Sequence, residues 1–66
     1  MKLRKLTEGC NLDQCPAVYL SDSGTVVFQG DLVTDASGLR LGTGEQAVEL
    51  PLGVVLQAIP ELPKGV

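Results

Sequence analysis

The side chains that could take part in the widest range of chemistry in this 66-residue chain are its two cysteines, Cys10 and Cys15, which four residues separate. Three interpretations are open. We favour buried or incidental thiols in a reducing cytoplasm, because free cysteine is among the residue types most often buried, and we expect the Cys15 side chain to be buried. A local disulfide would stabilise the fold by about 2 to 3 kcal/mol. A zinc ion shared across a homodimer would take both cysteines from each chain, since one chain cannot supply four ligands.

Other residue types that carry chemistry are either missing or explained by turns and strands. The chain has no histidine, which excludes every Ser-His, Cys-His and His-ligated metal arrangement. Among the acids, Asp22 and Asp35 suit turns, while Asp31 and Glu49 suit outward strand positions. The glycines of residues 42–44 lack the lysine and helix of a phosphate-binding loop and are typical of a hairpin turn. We therefore predict that the chain is not an enzyme and has no cofactor.

The charge balance favours a protein partner over nucleic acid. Eight acids and five bases give a formal net charge of −3, and the one basic cluster, Lys2, Arg4 and Lys5, is typical of a solvated terminus. An acidic surface suits a basic partner, and proteins that themselves bind DNA are one such class. Polar residues stand where a secretory signal would be apolar, and no apolar run could span a membrane, so we expect a cytoplasmic protein with no membrane contact.

The length predicts one domain, residues 1–66, whose stability is supplemented by a disulfide, a metal ion or a second chain. A domain of this size buries only about 60% of the surface that its unfolded form exposes. Hydrophobic residues make up 44% of the chain, but Tyr19 and Phe28 are its only aromatic residues. The core must therefore be aliphatic, and we expect a homodimer or a complex with a protein partner.

Alternating apolar residues predict a small antiparallel sheet. Residues 1–14 are interpreted as an arm that is loosely ordered or forms an edge strand. A first strand begins at Pro16, directly after Cys15, and ends at a hairpin turn over residues 21–24, which is followed by a long strand over residues 25–33. Gly30 within that strand indicates a bulge or a close approach of backbone, and a bend.

The second half of the chain predicts short strands and then a helix. A turn over residues 34–38 precedes a short alternating piece, residues 39–41, and period two returns over residues 47–50. The period then changes to that of a helix over residues 51–59, which Pro60 ends, and residues 60–66 form a frayed tail. The fold class is α+β: an antiparallel sheet of three or four strands with a short C-terminal helix packed on one face.

The same pattern divides the residues into a core and a contact surface. The predicted core consists of Val26, Phe28, Leu32, Val48, Leu50, Val55, Leu56 and Ile59. The predicted partner-binding residues are Tyr19, Val27, Gln29, Asp31 and Val33 on the outward sheet face, with Leu52 and Val54 on the helix. The outward sheet face ranks first, because Val27 and Val33 are apolar where a monomer would prefer polar residues.

From Cys15 onward, the order of features supports a family resemblance. A cysteine precedes a short strand, a hairpin with Asp22 and Gly24 follows, a second strand begins at Val26, and Pro51 enters a helix. This order resembles the BldB-like family of small actinobacterial developmental regulators, which are encoded beside helix-turn-helix regulators of the WhiJ kind. The family commonly carries a tryptophan where residues 52–54 stand. The resemblance implies a non-enzymatic transcription regulator that dimerises or binds its DNA-binding protein.

Residues 38–51 support a second resemblance, to swapped-hairpin transcription factors and antitoxins of the AbrB and MazE sort. There too a Gly-Leu pair, a tight turn and an acid precede a Val-Glu strand. Those proteins are obligate dimers with a basic DNA-reading face, whereas this segment offers only Arg40. The alternatives to a protein-binding regulator are therefore a dimeric antitoxin or transcription factor, and a metal-responsive or redox-responsive protein using Cys10 and Cys15.

Overall fold

A computed structural model describes residues 1–8 and 15–63, and it confirms the α+β class. Two small antiparallel sheets are followed by one short helix. The first sheet has the order β1-β2-β3, and the second pairs β4 with β5. The elements are β1 Leu3–Lys5, β2 Ala17–Ser21, β3 Val26–Gln29, β4 Asp31–Val33, β5 Ala47–Glu49, α1 Leu52–Ala58 and a one-turn 3-10 helix, Ile59–Glu61. Cys10 and the last three residues of the predicted tail lie outside the described residues.

The N-terminal arm provides an edge strand, which is one of its two predicted states. β1 pairs with β2, which is the central strand, and β2 pairs with β3 through the predicted hairpin. Gly24 turns that hairpin with φ of 85°, a conformation that glycine adopts without steric cost. Ser21 is buried at the end of β2 and accepts hydrogen bonds from the backbone N–H groups of Ser23 (3.3 Å) and Thr25 (3.0 Å).

Gly30 divides the long predicted strand into β3 and β4, as its position indicated. A β-carbon added at Gly30 would overlap with the carbonyl oxygen of Glu49. The chain passes here from the first sheet into the second, where Asp31 lies opposite Glu49 and Leu32 opposite Val48. The close approach of backbone predicted at this glycine is confirmed.

Residues 39–41 do not form the predicted strand piece. Gly38 and Gly44 both have positive φ, 89° and 81°, and place turns on either side of the segment. The Gly42 N–H donates to the Glu45 side chain at 2.6 Å, which further fixes the second turn. The two local turns direct residues 39–41 away from the strands, so this segment pairs with none of the described strands.

The helix lies where the change of period predicted it, with Pro51 at the N-cap. Pro60 ends the regular α-helix but is accommodated in the 3-10 turn, where it stands at the second position. Leu62 then packs against the core, so the predicted tail is anchored at that residue. A proline in a first turn loses no intrahelical hydrogen bond, which explains why the chain continues to wind.

The core differs from its prediction. Leu6, Val18 and Ala58 form its centre, and partly buried Leu20, Leu50, Val54 and Leu62 pack against them. Leu50 is thus the one predicted core residue that contacts this cluster. Val55 is half-buried, and the remaining predicted core residues are exposed: Val26, Phe28, Leu32, Val48, Leu56 and Ile59. The reason is the size of the helix, which at seven residues extends only about 10 Å. It packs on the central strand β2 and leaves the strands beyond it uncovered.

Candidate protein-binding surface

The helix carries a row of exposed aliphatic side chains. Leu52, Leu56 and Ile59 are 71%, 55% and 53% exposed. Ile59 follows α1 as its C-cap and keeps helical backbone angles, so the spacing i, i+4 and i+7 places all three on one side of the helix. We name these three residues the outer helix stripe.

The opposite side of the helix faces the sheet. Val54 packs against the core, and Ala58 is 2% exposed within it. The Gln57 side chain accepts a hydrogen bond from the Glu8 backbone N–H at 2.9 Å, which ties the flank of the helix to the chain after β1. Packing on one side and this hydrogen bond on the flank fix the rotation of the helix. The outer helix stripe therefore points away from the core.

The sequence of the helix makes this exposure costly. Leu52–Ala58 contains no charged residue, and Gln57 is its one polar side chain. A helix on the surface of a lone domain usually has a polar outer face, whereas a helix that is apolar all round is buried on every side. Its outer face has the composition of a surface that another molecule covers.

A second exposed apolar strip lies on β3. Val26 and Phe28 are 42% and 48% exposed. The register places Val26 opposite Leu20 and Phe28 opposite Val18, so both lie on the sheet face that carries the helix. The helix covers β2 but does not extend over β3. We name Val26 and Phe28 the β3 strip.

The partner-binding residues predicted from the sequence do not share one surface. Tyr19, Val27 and Gln29 lie together on the sheet face opposite the helix, and the Tyr19 hydroxyl donates to Gln29 Oε1 at 2.8 Å. All three are half-buried. Asp31 and Val33 belong to the second sheet, with Asp31 exposed and Val33 half-buried.

The two helical residues of that set also separate. Leu52 is the most exposed member of the outer helix stripe, while Val54 packs inward against the core. Sequence reasoning thus selected Leu52 correctly as an exposed residue but assigned Leu56 and Ile59 to the core. The missing charges of the helix were the available signal, because an outer face normally carries them.

Two acidic residues, Asp31 and Glu49, lie next to each other in the second sheet. Asp31 lies directly opposite Glu49, and both border a groove that Pro16, Leu50 and Pro51 also line. Like charges directly opposite each other destabilise a strand pair, so this arrangement adds negative charge without adding stability. Across residues 1–8 and 15–63, no group of three or more His, Cys, Asp or Glu side chains could hold a metal ion.

Cys15 is disulfide-bonded and half-buried, so the favoured prediction of free thiols, with Cys15 buried, is wrong. Cys10, the only other cysteine of the chain, lies outside the described residues. A sulfur in a disulfide is not a thiolate ligand, so zinc binding at Cys15 would require reduction first. Disulfides persist under oxidising conditions, in contrast to the reducing cytoplasm predicted for this chain.

Comparison with known proteins finds no matching family model, curated protein or solved structure. In the parts of the chain that the structure describes, no helix has the length and apolar character needed to cross a membrane.

Proposed function

We propose that this chain is a non-catalytic regulatory module that binds a basic protein partner through the outer helix stripe. The observation that carries the proposal is the helix itself, whose inner face packs on the sheet while its uncharged outer face exposes Leu52, Leu56 and Ile59. Burying large aliphatic side chains of this exposure contributes roughly 1 to 2 kcal/mol each. Three of them on one element form an apolar centre, and polar contacts at its rim would complete a specific interface.

The charges around the helix indicate what kind of partner would fit. Glu49 precedes the helix and Glu61 follows its last turn, and both are exposed. The whole chain carries a net charge of −3. A partner with an apolar groove bordered by lysine or arginine would complement an apolar stripe between acids, and such borders increase the association rate and the specificity.

A helix-turn-helix DNA-binding protein is the partner class that we propose. Such proteins carry basic surfaces, and the resemblance to BldB-like regulators supports the same class. The basic residues of the described chain are few, and Arg4 and Lys5 lie in the edge strand β1. Direct binding to nucleic acid has less support, because affinity for a polyanion depends on several clustered cations.

The test compares the natural chain with Leu56→Glu and with Leu41→Glu as the matched control. Leu41 is also an exposed leucine, 47% exposed, but it lies in the segment between β4 and β5. Each chain, with its fold verified by circular dichroism, is used to capture proteins from lysate of the source organism. A captured protein is then purified, and its affinity is measured by calorimetry.

The proposal expects a basic DNA-binding protein that the natural chain and Leu41→Glu retain and that Leu56→Glu loses, with at least about a tenfold weaker affinity. Equal binding by Leu56→Glu would reject the outer helix stripe as the contact surface. Binding of the chain to duplex DNA at low salt, lost when Lys2, Arg4 and Lys5 are neutralised, would favour the direct DNA binder instead.

A further inference from the structure

The three-stranded sheet has two edges of unlike chemistry. β1 is one edge and carries Arg4 and Lys5, and charged side chains of this kind protect an edge from pairing with another chain. β3 is the other edge, and Val26–Gln29 contains neither a charge nor a proline. Among residues 1–8 and 15–63, no strand lies beside its outer side. β3 is therefore the edge that remains open to a further strand.

Three backbone hydrogen bonds define which groups of β3 point outward. The Val18 carbonyl accepts from Leu6 (2.8 Å), so the backbone groups of this even-numbered residue face β1. The Ser21 N–H donates to Thr25 (2.9 Å), so the odd-numbered residues of β2 face β3. Alternation along an antiparallel pair then directs the N–H and C=O groups of residues 25, 27 and 29 toward β2. Those of Val26 and Phe28 point away from the sheet.

We propose that the open edge of β3 pairs with β3 of a second copy of this chain, antiparallel and centred on Val27. In this register Val26 of each copy lies opposite Phe28 of the other, and both residues of each pair have outward-facing backbone groups. Each such pair exchanges both of its N–H···O bonds, which gives about four hydrogen bonds across the interface. A shift of one residue would pair outward groups with inward ones, so the backbone itself selects against it.

The side chains match in the same register. Val26 and Phe28 are the exposed residues of the β3 strip, and a β-branched residue opposite an aromatic one is a stabilising cross-strand pair. The residues of β3, Val26–Gln29, carry no charge, so no acid faces an acid within the paired strands although each chain is acidic. Two-fold symmetry repeats each of these contacts, as expected for a closed dimer.

The edge of β3 is separate from the surface proposed for the partner. The outer helix stripe points away from the sheet, and the helix does not extend over the paired residues of β3. A dimer formed through β3 would leave Leu52, Leu56 and Ile59 accessible on both copies. This inference does not depend on the proposed function, and either can fail alone.

Val26→Pro and Val26→Ala form a matched pair of variants for the test. Both remove the valine side chain, but only proline removes the outward N–H, and an edge strand tolerates proline where that N–H faces solvent. Sedimentation equilibrium over a wide range of concentrations gives the oligomeric state of each purified full-length chain. We expect the natural chain to dimerise and Val26→Pro to dimerise at least about tenfold more weakly than Val26→Ala, because each dimer loses two hydrogen bonds.

A cross-link tests the register and does not depend on the proline variant folding. The proposed pairing brings the two Val27 α-carbons to about 4.5 Å, within the range that a disulfide spans. Residue 29 and its symmetry mate would be roughly 14 Å apart, which is too far. Mild oxidation should therefore link Val27→Cys into a covalent dimer through residue 27, verified by peptide mapping, and should leave Gln29→Cys unlinked.

The outcomes separate the possible occupants of this edge. A natural chain that stays monomeric at every concentration overturns the proposal and leaves the edge to a strand of another protein. A dimer that Val26→Pro does not weaken, or that Leu56→Glu disrupts in its place, also overturns it. Efficient cross-linking of Gln29→Cys contradicts the register centred on Val27.

Discussion

Gly30 lies so close to the backbone of Glu49 that a β-carbon at position 30 would overlap with the Glu49 carbonyl oxygen and reach the Leu50 side chain at 3.0 Å. The contact occurs where the chain leaves β3 and enters β4. Only glycine allows two backbone segments to approach in this way. This contact therefore fixes the end of β5 against the residue that joins β3 to β4.

Gly30→Ala should lower the free energy of unfolding by about 2 to 3 kcal/mol, because the backbone at Glu49 must move to admit a methyl group. Gly53→Ala is the control, since nothing lies within 4 Å of a β-carbon there. That substitution should stabilise the helix by up to about 1 kcal/mol. Urea titrations followed by circular dichroism measure both changes. Equal effects of the two alanines would contradict the close contact at Gly30.

Gly30 also illustrates what the sequence predicts well. A lone glycine inside an apolar alternation indicates a break, and the turn residues around Gly24 and the change of period at Pro51 indicate where elements begin. These signals are local, since each depends on backbone freedom within a few residues. They were sufficient for the fold class, the first hairpin and the limits of the helix.

The orientation of the faces could not be predicted in the same way. Leu52, Leu56 and Ile59 form the regular apolar stripe of the helix, yet the helix turns Val54 and Ala58 toward the sheet. Periodicity shows that residues share a face of a helix, but it does not show whether that face packs on the sheet. A helix of seven residues covers only part of the sheet, so two members of the outer helix stripe, Leu56 and Ile59, were mistaken for core.

Core substitutions should reflect this difference. Val18→Ala, at a side chain 2% exposed, should lower the free energy of unfolding by about 2 to 3 kcal/mol, because the cavity forms inside the packed cluster. Phe28→Ala removes more atoms but from a side chain 48% exposed, and should cost less than about 1.5 kcal/mol. Measurements at a concentration where the chain is monomeric exclude any effect of association. A larger loss at Phe28 than at Val18 would mean that β3 is covered within the monomer.

The buried hydroxyl of Ser21 organises the first hairpin. Its oxygen lies 2.7 Å from Thr25 Oγ1 and 2.9 Å from Ser23 Oγ, and it accepts two backbone N–H groups as well. Ser21→Ala should lower the free energy of unfolding by about 1 to 2 kcal/mol, since those groups lose a shared partner. Ser37→Ala, in the exposed turn that contains Gly38, should change the free energy of unfolding by less than about 0.5 kcal/mol. Denaturant titrations would show no difference between the two variants if the Ser21 contacts added nothing.

The disulfide at Cys15 should stabilise the fold and should leave no free thiol in the purified chain. Unfolding the oxidised protein should expose no reactive thiol, whereas reduction should expose both cysteines. Because a cross-link restricts the unfolded chain, reduction should lower the free energy of unfolding by about 2 kcal/mol. Thiol titration and thermal melts with and without reductant measure the two effects. A Cys15→Ser variant is the control for nonspecific action of the reductant, because it has no disulfide at this position and should melt at the same temperature in both conditions. Two reactive thiols in protein prepared without reductant would instead return the cysteines to the thiol form that a reducing cytoplasm maintains.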